Sequence, residues 1–139
     1  MTDPQLVEKK LAAIESAVAD LRRLGRPDAL AADVREERFV EHTLQIGIQA
    51  ALDIASHIVA DDRLGEPDTN RQLFDRLAGA AWISTSLAET MKRMVGFRNI
   101  LVHGYQDVDL AMVRDVVEHR LDDLLQFVAA IRARTLPRA

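Results

Sequence analysis

Between about Asp33 and Asp61 the residues Val40, Leu44, Ile48 (or Gly47), Ala51, Ala55 and Ile58 recur every three or four positions. That period lays one apolar stripe along an α-helix. At about 1.5 Å per residue the helix is roughly 40 Å long. A rod of that length with one greasy side needs other helices to cover it, so the rest of the chain is read as its partners.

The partners are legible. Val7, Leu11, Ile14, Val18 and Leu21 form a second stripe, which Gly25 and Pro27 end. Gly65 and Pro67 break the chain after the long helix, and a short helix from about Arg71 to Ala80 carries Leu73, Phe74 and Leu77. "WISTS" reads as a turn with Ser84 or Thr85 as cap, followed by a helix from about Ser86 to His103. Asp109 is a suitable N-cap for a last helix from Leu110 to about Arg134, striped by Val113, Val117, Leu121, Leu124, Val128 and Ile131. No strand pattern competes. The expected fold is all-α: an antiparallel bundle of four main helices plus one short helix, in a single domain over residues 1–139.

Composition narrows the function classes. There is no run of about 18 apolar residues and no basic-then-apolar N-terminus, which predicts a cytoplasmic protein rather than a membrane one. Cysteine is absent, which excludes disulfides and thiolate metal sites. The net charge of -4 means that nucleic-acid binding would depend on local positive charge. Arg22, Arg23 and Arg26 cluster, as do Lys92, Arg93 and Arg98, and such clusters are usually solvated surface.

One short segment stands apart: "FRNILVHGY", Phe97 to Tyr105. On a helix that steps about 100° per residue, with Arg98 at zero, Tyr105 lies about 20° away, Asn99 near 100° and His103 near 140°. Phe97, Ile100, Leu101, Gly104 and Met94 fall on the opposite arc, between about 200° and 320°. The polar face thus holds a guanidinium, an amide, an imidazole and a phenol, with no Glu or Lys. On spacing alone an ordinary surface or interface helix explains it. The sharper reading is a phosphate-handling site, because arginine holds phosphate with parallel hydrogen bonds and histidine moves protons near neutral pH. RNA brings its own nucleophile in the 2′-hydroxyl. His42, His57 and His119 make no ligand pair with His103, and no phosphate loop or dinucleotide fingerprint is present, so no metal or cofactor is expected.

The extended motif "MVGFRNILVHGYQDVD", Met94 to Asp109, resembles the signature of the HEPN superfamily and specifically of HepT-like toxins. "ERFVEHTLQIGIQAALDIASHIV", Glu37 to Val59, is similar to the second helix of that family. The resemblance implies a homodimeric helical bundle whose two Arg/His motifs face each other across a cleft. It implies a metal-independent endoribonuclease acting on RNA such as tRNA or mRNA. The implied partner is a minimal nucleotidyltransferase antitoxin, which silences the toxin by adenylating the motif tyrosine, here Tyr105. Arg98 and His103 would be catalytic, with Asn99 supporting. The alternative within the same resemblance is a non-catalytic bundle that binds nucleotide or substrate for a nucleotidyltransferase.

Two further features carry expectations. Glu41, Gln45, Gln49, Asp53 and His57 form a ladder of four-residue steps, which drifts about 40° per step around the helix. A solvated stripe with an Asp53–His57 pair is the plain reading. The functional one brings Glu41 or Asp53 to the Arg98/His103 cleft, and Asp53 is retained as a supporting residue. Trp82, the lone tryptophan, is expected to pack at a helix junction.

Overall fold

A computed structural model describes residues 3–103 and 108–135. Every regular element among them is helical: α1 (Pro4–Leu24), a 3-10 turn (Pro27–Ala29), α2 (Val34–Asp61), α3 (Gln72–Gly79), α4 (Thr85–His103), α5 (Leu110–Asp115) and α6 (Leu121–Thr135), with a π-helical segment at Val116–Arg120 between the last two. No helix of the described residues is long and apolar enough to cross a membrane.

The ends of these helices follow from their capping residues. The Asp3 carboxylate accepts from the Gln5 and Leu6 amides and Pro4 opens α1, where its missing N–H costs nothing. Asp33 caps α2 through the Arg35 amide, and Ser84 rather than Thr85 caps α4, its Oγ accepting from Leu87 at 3.0 Å. Asp109 caps α5 through Ala111 at 2.9 Å. The loop after α2 turns on two positive-φ residues, Arg63 and Gly65.

Helix directions can be read from contacts. Lys10 pairs with Asp53 while Ala17 lies beside Gly47, so α1 and α2 run antiparallel. Arg132 bonds Glu8 and Glu15 while Arg22 bonds Asp122, so α1 and α6 are antiparallel too. All six residues of the predicted α2 stripe, and Gly47 with them, are buried. α1 covers one side of α2, and α4 packs between α2 and α3 and reaches α6. Phe74 and Phe127 meet edge to face at 5.8 Å, tying α3 to α6.

The C-terminal stripe is buried as expected, but the helix under it is not uniform. Val113, Val117 and Leu121 follow one another at steps of four, which overshoot an α-helical turn by about 40° each. The wider π turn at Val116–Arg120 absorbs the excess and keeps all three on the core side. Trp82 is buried at the α3–α4 junction, with the Arg134 guanidinium 4.1 Å over its ring. The arginine-rich clusters are largely surface ion pairs: Arg22 with Asp122, Arg23 with Asp20, and Lys92 with Asp75 and Glu89.

Candidate active site

α4 presents Arg98 to a groove between α1 and α2. Phe97 and Leu101 bury their side chains in the core, which leaves Arg98 and Asn99 half-buried at its edge. The Arg98 guanidinium donates from Nη2 to Gln49 Oε1 at 2.6 Å and from Nη1 to Asn99 Oδ1 at 3.2 Å. Its Nε is buried without a hydrogen-bond partner among the described residues. Both acceptors are neutral amides, so the guanidinium keeps its full charge toward the groove.

Gln49 does not stand alone. Its Nε2 donates to Asp53 Oδ1 at 2.8 Å, and Asp53 Oδ2 accepts from Lys10 Nζ at 3.1 Å. Asp53 therefore reaches Arg98 through Gln49 and not by direct contact. The expected Asp53–His57 pairing is not made; His57 lies 3.0 Å from Asp61, one turn further on. Asp53 is instead turned to Lys10 and Gln49, which each donate to one of its oxygens, and the His57 ring faces Asp61. Gln49 is the residue that sequence reasoning passed over as a site member, although the ladder contained it. Lys10, 43 positions from Asp53, left no local signal.

The groove around these groups has a volume of about 370 Å³, with His42, Gln45 and Ile46 on its α2 wall. It continues into a second trough of about 700 Å³ lined by Arg38, Glu41 and Leu101, His42 and Gln45 being common to both. Burial pushes the Glu41 carboxyl above its usual range; the neighbouring Glu37 adds to the rise and Arg38 opposes it. Glu41 so lines the trough beside α4 without a bond to Arg98.

His103 is the last residue of α4 and is exposed. Five residues from Arg98, it is about 7.5 Å further along the axis and about 140° around it. Within one subunit the imidazole and the guanidinium therefore diverge. Tyr105 lies outside the described residues. Among the described residues no three His, Cys, Asp or Glu side chains gather as a metal site.

A family model described as ribonuclease HepT-like matches residues 10–131, which includes both Arg98 and His103. The chain belongs to this family. Among its HepT-like relatives, the mRNA nuclease HepT of Shewanella oneidensis is 35% identical over 129 residues, covering 92% of this chain and 97% of that one. A tRNA nuclease HepT of Aphanizomenon flos-aquae is 27% identical over 133 residues, covering 94% and 90%. The solved structure of a tri-AMPylated Shewanella oneidensis HEPN toxin in complex with MNT antitoxin superposes with a TM-score of 0.86 at 35% identity, covering 96% of this chain and 99% of that one. The HepT-like bundle predicted from the motif is thus the bundle found.

Proposed function

We propose that the chain is a metal-independent endoribonuclease, the toxin of a two-gene module of the type II/VII-like kind, acting in the cytoplasm as a homodimer and as one domain over residues 1–139. The observation that carries this is the placement of Arg98: a guanidinium held, among the described residues, by neutral oxygens beside an open groove, one and a half turns before an exposed histidine. The ribonuclease names of the relatives support the same reading.

The divergence of Arg98 and His103 within one subunit favours a site completed by a second copy. One His103 takes the proton of the 2′-hydroxyl; the 2′-oxygen attacks phosphorus and the bond to the 5′-oxygen breaks; His103 of the second copy protonates that leaving oxygen. Arg98 stabilises the charge that builds on the phosphoryl oxygens, and Asn99 holds Arg98 from the side. The products are a 2′,3′-cyclic phosphate and a 5′-hydroxyl. Tyr105, two residues past His103, is the site at which a minimal nucleotidyltransferase antitoxin adds adenylate, placing bulk and negative charge where the RNA phosphate must bind.

Purified protein incubated in EDTA with total RNA and with tRNA tests the proposal. Wild type cuts and leaves cyclic-phosphate ends, and Arg98→Ala and His103→Ala each lose about 100-fold or more in rate. Intact mass after co-expression with the nucleotidyltransferase shows adenylate increments that Tyr105→Phe abolishes. Undiminished cutting by His103→Ala, or 5′-phosphate products, refutes the mechanism. Growth that continues unchanged on expression of the wild-type chain points instead to a non-catalytic binding partner.

A further inference from the structure

The Arg98 guanidinium is the terminus of a chain of hydrogen bonds that crosses three helices: Lys10 on α1, Asp53 and Gln49 on α2, Arg98 on α4. We infer that Gln49, locked by Asp53, is the positioning residue that aims Arg98 at the scissile phosphate, and that Lys10 keeps the charge of Asp53 from being felt there. This inference rests on the ribonuclease reading of the site and adds to it two groups, Gln49 and Lys10, that touch no reacting atom.

The chemistry leaves Gln49 one orientation. A guanidinium has donors and no acceptor; an ionised carboxylate has acceptors and no donor. Only an amide turned with its oxygen to Arg98 and its nitrogen to Asp53 satisfies both at once, at 2.6 Å and 2.8 Å. Asp53 thereby fixes which end of the amide faces Arg98. The neutrality of Gln49 matters equally. A carboxylate in its place would hold Arg98 but cancel the charge needed for phosphate, and would repel Asp53. Lys10, 3.1 Å from the other Asp53 oxygen, balances the one negative charge in the chain. The arrangement is sensitive because Arg98 has few other holds: its Nε is buried without a partner among the described residues, and Asn99 supplies one bond from the same helix at 3.2 Å.

The test uses the full-length protein and three near-isosteric variants, Gln49→Met, Asp53→Asn and Lys10→Met, with the Gln49→Met/Asp53→Asn double variant. A misaimed guanidinium costs turnover and not affinity, so Gln49→Met lowers kcat on RNA about 10- to 100-fold with KM within about threefold. Asp53→Asn, which lets the amide flip, loses part of that, and Lys10→Met, which leaves the Asp53 charge unbalanced, raises KM on RNA several-fold at low salt; unchanged kinetics in Lys10→Met remove Lys10 from the relay. The double variant is no slower than Gln49→Met alone, because both substitutions break one chain. A second readout does not use activity: slow rotation of the Arg98 guanidinium, seen as resolved Nη signals by 15N NMR, is present in wild type and lost in Gln49→Met and Asp53→Asn. Wild-type kcat in Gln49→Met, multiplicative losses in the double variant, or unchanged guanidinium rotation overturns the relay. A rise in KM at constant kcat makes Gln49 an RNA contact instead and also overturns it. If the wild type cuts no RNA, the ribonuclease reading fails, and the NMR comparison alone decides whether the relay exists.

Discussion

Arg98 shows how a single cation is held ready. A carboxylate partner would fix it more firmly, yet would compete with any anion in the groove for the same charge; among the described residues two amide oxygens hold it and leave the charge unspent. Arg132, on the opposite side of α1, has the contrary arrangement and a structural role. It bonds Glu8 at 2.7 Å and Glu15 at 2.7 Å, clamping α6 to α1. The hydrogen bond from Arg132 holds the Glu15 carboxyl below its ordinary value near 4.5, burial opposes this, and the Arg132 charge adds to it. A carboxyl lowered in the folded state contributes stability that is present above its unfolded value and is lost as pH falls through the folded one. Acid titrations of Tm are therefore expected to fall less steeply below about pH 4.5 in Glu15→Gln than in wild type. At neutral pH the variant is less stable by about 1 kcal/mol or less, since the pair is partly exposed. Equal acid slopes for the two proteins would show that this carboxylate contributes nothing to the acid transition.

Helix ends and interruptions were unequally readable. The caps Ser84 and Asp109 act locally and are written in the sequence, Ser84 as one of two candidates, whereas Asp33 is legible there only as the start of a helical stripe. The π segment was visible only as a pair of four-residue steps, which an unbroken α-helix with a wide stripe also permits. Only the packing of Val113, Val117 and Leu121 into one core makes the bulge necessary. Gly25 illustrates a terminator whose reason is steric. Its φ of -69° suits any residue, but a Cβ there would lie 2.3 Å from the Leu21 carbonyl oxygen, backbone that cannot move aside. Gly25→Ala is expected to destabilise the fold by roughly 1–3 kcal/mol, measured by urea denaturation with an unchanged m-value. An unaltered midpoint would mean that the end of α1 relaxes freely.

At the scale of the whole molecule the question is whether one bundle makes one site. With about 140° between them, His103 and Arg98 of one subunit do not converge, and the proposed mechanism needs two imidazoles. Mixed dimers of wild type and His103→Ala, isolated with two different tags, are accordingly expected to retain a few per cent of wild-type activity or less. Half of wild-type activity would mean that each subunit works alone. The sequence by itself determined the helices, the buried stripes, the all-α class and the Arg98–Asn99–His103 face, because each of these depends on residues within a turn or two of one another. Tertiary structure alone decided that Asp53 turns from His57 to Gln49 and Lys10, and that Gln49 faces Arg98. Those bonds join positions 43 and 49 residues apart, and a side chain with several possible partners takes the one that packing brings within reach.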